Sequence, residues 1–401
     1  MIHPVSLLLL IGECKNNLDL IKLTWCSANL YACLQFYSVI ESIKFKKIEL
    51  PMKKPFKISL GSTNSYEGFI VSVTADDGIV GYGEATTTPF ITGDTIGSLE
   101  SELRIFSESL KGMDESQENL NITMKNLCRS AKASRMAIDQ AIWDIIGKRA
   151  KTSVRKLLGN NKDHIDTSYT VDLVDSKKAK AQAEELMSDG VKIFKIKMGL
   201  GIQDDLERVK VVRDVVGEKP MIYVDFNQSY TPRKSVEISK KLEKFEIEFM
   251  EQPVPMQDIR GLKFVRYRSN IPIFADESIF TTDDVLNVLQ TESVDGINIK
   301  LMKSGGITDS IKMADLAYSY RVPVMIGCMV ETRLANSAGL AVALSKPSVK
   351  YADLDGYSSL KEDIVEKGIE FRKGTLYPHD CPGVGVELKK TFVDREFSQK
   401  K

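Results

Sequence analysis

The feature that most constrains this chain is an eightfold repeat. Short apolar runs, each followed by a stretch of amphipathic helical spacing, fall at residues 168–171, 193–197, 221–225, 247–251, 272–276, 296–300, 322–327 and 351–353. Their ends recur every 24–28 residues, the length that one βα unit of a closed parallel barrel occupies. Open doubly wound sheets also alternate strand and helix, but they usually mark nucleotide binding with G-x-G-x-x-G, which this sequence lacks. The repeat therefore predicts an α/β fold built on a parallel barrel.

Upstream of the repeat the texture is α+β. Residues 42–50 alternate as a strand does, and 69–74 and 80–82 flank Asp77-Gly78, a hairpin signal. Residues 98–110 and 131–151 read as helices; in the second, Ala133, Ala137, Ile138, Ala141, Ile142 and Ile145 share one face. The expected organisation is an α+β domain over 42–165, a barrel over 166–365, a segment over 366–390 that returns to the first domain, and a tail over 391–401. Residues 1–41 look unlike the rest. Their apolar run from Val5 to Gly12 is too short for a bilayer, which needs about 20 residues. No lysine or arginine precedes that run and no clean cleavage site follows it, so it reads as an atypical extension rather than a signal peptide.

Composition narrows the chemistry. The 55 basic and 55 acidic residues cancel, which leaves no electrostatic footprint for nucleic acid, and no other stretch could span a membrane. The six cysteines show no C-x-x-C spacing and read as free thiols of a reducing, cytoplasmic compartment. Only three histidines occur, His3, His164 and His379, and none is expected to be catalytic. Proton transfer and metal binding must then rest on carboxylates and lysines.

Barrel strands point their C-terminal ends at one mouth, where such folds place their active sites. Along the repeat that mouth receives Lys195, Lys197, Asp225, Glu251, Asp276 and Lys300. Three carboxylates from successive strands suit a hard cation such as Mg²⁺. Singly, each motif has an ordinary explanation: alternating lysines on a solvent-facing strand, an N-cap at Asp276, a strand ending at Pro253. In register with the repeat they read as one constellation.

The motifs K-I-K at 195–197, D-F-N-Q at 225–228, E-Q-P at 251–253, A-D-E-S at 275–278 and N-I-K-L-M-K-S-G-G at 298–306 resemble the muconate-lactonizing-enzyme subgroup of the enolase superfamily over about residues 42–390. The resemblance implies a modified (β/α)7β TIM barrel with an α+β N-terminal capping domain. It also implies one Mg²⁺ per subunit on Asp225, Glu251 and Asp276, with Lys197 and Lys300 as the acid–base pair on opposite faces of the substrate. Lys195 would steady a substrate carboxylate. The shared chemistry of that superfamily pairs a Lys or His base with Mg²⁺ and removes a proton α to a carboxylate. A lysine that acts as a base must be neutral, so neighbouring positive charge and burial are expected to lower its pKa. Two lysines facing one carbon allow epimerisation or racemisation.

Asp353-Leu354-Asp355 ends the eighth run. Residues i and i+2 of a strand share a face, so both carboxylates could enter the mouth and meet a substrate ammonium; an Asp-Gly turn at 355–356 is the alternative. Together with residues 327–332 (GCMVET), this motif resembles the dipeptide epimerases related to L-Ala-D/L-Glu epimerase. That resemblance implies that Asp353 and Asp355 hold the free amino terminus of a small dipeptide. It places Thr170, Cys328, Met329 and Val330 along the substrate, and the reaction would invert the Cα of the second residue of L-Ala-L-Xaa. One departure concerns specificity. Gly61 stands where several Ala-Glu epimerases carry an arginine for the glutamate side chain, and Lys57 is the nearby substitute, so Xaa is expected to be glutamate, hydrophobic or broad. Residues 86–95 are a candidate lid. The alternatives are a superfamily lyase such as o-succinylbenzoate synthase or an acid-sugar dehydratase, whose substrates lack the ammonium, and a non-catalytic binding protein on the same scaffold. A phosphate site at Gly305-Gly306 fits less well, because barrels place phosphate after strands seven and eight. A homo-oligomer is expected.

Overall fold

A computed structural model describes residues 38–58 and 61–397, with the side chains of 56–58 left out, so the Lys57 side chain and residues 1–37 of the extension expected over 1–41 lie outside the described residues. The first domain is an antiparallel sheet of β1 (Ile40–Ile58), β2 (Gly61–Ala75) and β3 (Val80–Thr86), followed by helices α1 (Ile96–Ser109), α2 (Gln117–Leu127) and α3 (Lys132–Arg149). The hairpin at Asp77-Gly78 forms as its sequence suggests, with Gly78 at φ 82° closing the turn. Helix α2 has Leu120, Met124 and Leu127 at helical spacing, but Leu120, Ile122 and Met124 also alternate as a strand would, so its sequence reads both ways. Strand β3 lies directly on α3. A Cβ at Gly81 or Gly83 would stand about 2 Å from the carbonyl oxygens of Ala141 and Ala137, so only glycine allows that approach.

After the two-residue strand β4 (Ile165–Asp166), eight parallel strands follow in order: β5 (Ser168–Val171), β6 (Ile193–Lys197), β7 (Met221–Asp225), β8 (Ile247–Glu251), β9 (Ile273–Ala275), β10 (Gly296–Lys300), β11 (Val324–Gly327) and β12 (Val349–Asp353). The ladder runs unbroken from β5 to β12. At the seam between those two strands side chains make the link: Ser168 Oγ donates to Asp353 Oδ1 at 2.7 Å, and the Thr170 amide donates to Asp355 Oδ2 at 3.0 Å.

Alternation along these strands sorts the chain into three environments. Outward residues such as Phe194, Ile196, Ile222, Val224, Ile297 and Ile299 are buried under the helices. Inward residues at the lower level, Tyr223, Phe249, Phe274 and Met325, form a separate apolar plug, with the Phe249 ring stacked between Tyr223 at 4.4 Å and Phe274 at 4.0 Å. Gly296 leaves room for it, since a Cβ there would stand 2.2 Å from the Phe274 ring. Two residues further along the same strands come Asp225, Glu251 and Asp276. The period of two that puts an aromatic ring in the floor therefore puts a carboxylate at the mouth.

The C-terminal stretch runs back over both domains. Thr375–Tyr377 pairs with β4 and Glu370–Arg372, and Val384 N donates to Asp144 of α3 at 3.0 Å. Residues 390–396, expected to be tail, are a helix. Phe392 buries itself and the Phe397 ring meets Tyr82 of β3 at 5.9 Å, so apolar spacing makes this segment part of the packing. Residues 38–40, expected to lie in the extension, also join the fold: the Ile40 amide donates to Met113 O and Ser38 Oγ to Asp76. Among the described residues no helix is long and apolar enough to cross a membrane.

Candidate active site

The mouth of the barrel opens into a cavity of about 420 Å³ that reaches from Lys195, Lys197, Lys300, Asp353 and Asp355 outward to the capping domain. Register sets the inner ring. Lys197 pairs with Asp225 and Asp225 with Glu251 across the ladder, while Lys300 pairs with Gly327 and Gly327 with Asp353. Strands β6 and β10 are four places apart in an eight-stranded barrel, so Lys197 and Lys300 enter from opposite sides.

Both lysines are buried and held by carboxylates. Lys197 Nζ donates to Asp225 Oδ2 at 2.8 Å and to Asn227 Oδ1 at 2.9 Å; Lys300 Nζ donates to Asp276 Oδ2 at 2.7 Å. The pKa of Lys300 departs from expectation. Burial and the neighbouring Lys195 work to lower it, but Asp276, Glu251 and Asp353 together outweigh them and the net displacement is upward.

The three expected metal acids converge, yet Lys195 stands among them. Its Nζ is 3.0 Å from Asp225 Oδ2, 3.1 Å from Glu251 Oε2 and 2.7 Å from Asp353 Oδ2. Lys195, expected to meet a substrate carboxylate, here pairs with the protein's own acids. As placed, the described residues contain no group of three His, Cys, Asp or Glu side chains at metal-holding spacing. The donor set still fits a hard divalent cation. Asp225, Glu251 and Asp276 are fully buried oxygen donors on adjacent strands, and Glu251 Oε2 has no hydrogen bond despite its burial. Burial, then Asp225, push the Glu251 carboxyl up to about 8, which marks a carboxylate short of positive charge.

The Asp353 and Asp355 pair enters the mouth as the strand period requires. Asp355 Oδ2 accepts from both the amide and the hydroxyl of Thr170 at 3.0 Å. The segment Cys328–Val330 forms part of the cavity wall, and Cys328 Sγ accepts from the Gly356 amide at 3.3 Å. From the capping domain come Thr87, Thr88, Phe90 and Ile91, on the loop expected to be a lid. His164 stacks on Tyr377 and His379 meets Glu387, and neither lines the cavity. Gly305-Gly306 packs against Arg135 and Asp139 of α3, a docking contact rather than a phosphate cradle.

Several polar residues of the mouth had no role in the sequence reading. Asn298 Nδ2 donates to Glu251 Oε1 at 2.6 Å, Lys303 Nζ to Asp276 Oδ1 at 2.5 Å, and Asn227 Nδ2 to Glu277 Oε1 at 3.1 Å. The signal for Asn298 was present, since it lies two residues before Lys300 and shares its inward face. Lys303 follows the strand, and only the turn after Lys300 brings it back.

Residues 178–392 match the family model described as enolase C-terminal domain-like, and residues 42–159 match the mandelate racemase/muconate lactonizing enzyme N-terminal domain. The chain belongs to the mandelate racemase/muconate lactonizing enzyme family of the enolase superfamily. Among its relatives, L-Ala-D/L-Glu epimerase of Clostridium acetobutylicum is 32% identical over 87% of this chain and 99% of its own. Hydrophobic dipeptide epimerase of Enterococcus faecalis is 33% identical over 86% of this chain and 99% of its own. The substrate-liganded L-Ala-D/L-Glu epimerase from Bacillus subtilis superposes with a TM-score of 0.85 at 34% identity, over 87% of this chain and 98% of that one. The Enterococcus faecalis enzyme, solved with Mg and the dipeptide L-Leu-L-Tyr, gives 0.85 at 32% identity over 87% and 99%. Members of the family thus combine this barrel with its capping domain.

Proposed function

We propose that the protein is a Mg²⁺-dependent dipeptide epimerase that inverts the Cα of the second residue of L-Ala-L-Xaa. The observation that carries this reading is a buried ring in which two lysines face each other across a carboxylate cluster, with a second acidic pair, Asp353 and Asp355, beside them. Asp225, Glu251 and Asp276 would hold the cation. Bound there, Mg²⁺ would draw off the negative charge that builds on the substrate carboxylate when its α-proton leaves. One of Lys197 and Lys300 takes the α-proton and the other returns one to the opposite face, so the planar enediolate loses its memory of configuration. Asp353 and Asp355 receive the ammonium of the first residue. A lyase substrate without that ammonium would leave buried Asp353 and half-buried Asp355 balanced only by the protein's own lysines, which favours the dipeptide.

The second side chain meets an apolar wall of Phe90, Ile91, Met329 and Val330. A Cβ at Gly61 would stand 2.7 Å from the Phe90 ring, so that ring fills the space into which a longer side chain at position 61 would extend. Phe90 is 51% exposed and lines the cavity, so it offers an apolar face to a bound side chain. This supports a hydrophobic or broad Xaa over a strictly acidic one. Incubating the protein with Mg²⁺ and an L-Ala-L-Xaa library in D₂O should place deuterium at the second Cα, fastest for apolar Xaa. No exchange in any member would reject the reading.

Asp355→Asn tests the ammonium site. It keeps the size of the side chain and an acceptor for Thr170, and removes one charge from the cluster. Loss of one partner of a buried charge pair costs about 2–5 kcal/mol in binding, so KM for the preferred dipeptide should rise by roughly 30-fold or more. An unchanged KM would place the amino terminus elsewhere.

A further inference from the structure

Two buried carboxylates near the cavity have no part in proton transfer. Glu84 projects from β3 of the capping domain and meets the barrel segment that follows β11. Its Oε1 accepts from the Thr332 amide at 2.8 Å and from Tyr66 Oη at 2.8 Å; its Oε2 accepts from Thr332 Oγ1 at 2.5 Å and from the Ala335 amide at 3.2 Å. Thr332 is the N-cap of the helix Arg333–Ser345, so Glu84 satisfies amides that a helix start leaves without partners and places negative charge at the positive end of its dipole. Two residues along the same strand face, Thr86 Oγ1 donates to the Val330 carbonyl at 3.3 Å. Within the segment, Glu331 Oε1 accepts from the Met329 amide at 3.0 Å. The Cys328–Val330 wall is thereby tied at one end to the capping domain and at the other, through Cys328 Sγ and the Gly356 amide, to the turn that follows the strand carrying Asp353.

We infer that Glu84 is a positioning residue for substrate binding: the capping domain reaches across to hold residues 328–332 in the conformation that walls the dipeptide pocket. No atom of Glu84 touches the cavity, so it acts only through Thr332 and the backbone beyond it. A residue of this kind should govern KM more than kcat, because the lysines and the metal acids sit on other strands.

This inference rests on the dipeptide reading, and the test separates the two. In full-length Glu84→Gln protein with Mg²⁺, the amide group must face donors on one side. KM for the preferred dipeptide should rise about tenfold while kcat stays within about threefold, the size expected when a hydrogen bond to a charged group is lost. Peptides covering 328–332 should take up deuterium from solvent faster than in the parent, by mass spectrometry without substrate. Tyr66→Phe removes one of the four donors without changing shape, and should shift both readouts the same way by a smaller amount, which keeps the test available if Glu84→Gln does not fold. A folded Glu84→Gln protein with lower thermal stability but unchanged KM and unchanged exchange at 328–332 would make Glu84 purely structural and overturn the inference. Should the parent protein turn over no dipeptide, the dipeptide reading fails, and the exchange at 328–332 alone decides whether Glu84 holds the segment.

Discussion

Replacing Lys300 by alanine should lower the rate of epimerisation by about 10²–10⁴-fold, the usual contribution of a positioned acid or base. Lys197→Ala should do the same, and the two variants should differ in one revealing respect. Because β6 and β10 lie half a barrel apart, each lysine serves one face of the substrate carbon. Each variant should therefore keep deuterium exchange from one epimer of the dipeptide and lose it from the other, with the preference reversed between them. Lys303 does not replace Lys300 in this role: Lys300 lines the cavity, whereas Lys303, bound to Asp276 and the Asn298 carbonyl, does not. Either variant epimerising both isomers within about threefold of the parent rate would remove that lysine from the mechanism. The same stereochemical pattern in both variants would mean that only one face is used.

Removing divalent metal should be as severe. A chelator should abolish exchange at the dipeptide Cα, and Mg²⁺ should restore it, because the enediolate places its charge where several kcal/mol of Lewis-acid stabilisation is needed. A finer version uses Asn298, whose Nδ2 holds Glu251 Oε1 at 2.6 Å and so leaves Oε2 turned toward Lys195 and the other acids. Partners that orient metal ligands are worth about 10–100-fold in affinity. Asn298→Ala should raise the Mg²⁺ concentration needed for half activity by that factor while leaving the rate at saturating Mg²⁺ near the parent value. Activity that persists in chelator, or an unchanged Mg²⁺ requirement in Asn298→Ala, would separate Glu251 from the metal.

Much of this architecture was legible in advance for a definite reason. A barrel strand buried on both sides still alternates, and the alternation is local. Tyr223 and Asp225, Phe249 and Glu251, Phe274 and Asp276 each sit two residues apart, so the floor and the mouth can both be read from one run of letters. Helix α2 was missed because Leu120, Ile122 and Met124 alternate as a strand does while Leu120, Met124 and Leu127 recur as a helix does. The helix at 390–396 was missed because its anchor is the contact of Phe397 with Tyr82, which lies more than 300 residues earlier.

The pKa of Lys300 shows a second limit. A lysine acting as base was expected to be lowered by neighbouring positive charge and by burial. In the folded protein Asp276, Glu251 and Asp353 together outweigh burial at Lys300, and the shift runs the other way. Counting charges on adjacent strands does not say which carboxylate oxygen each ammonium reaches, and at about 3 Å that choice decides the sign.

By itself the sequence determined the eightfold strand order, which residues face inward, and the chemical types gathered at the mouth, because each follows from a period of two within a period of about 26. Tertiary structure alone decided that Lys195 stands among Asp225, Glu251 and Asp353, that Phe90 fills the space beside Gly61, and that Glu84 grips Thr332 from 248 residues away. Those contacts join separate strands and separate domains. No local period encodes them, and they form only when the closed barrel and its cap bring distant segments, such as those around residues 61–91 and 328–356, onto one cavity.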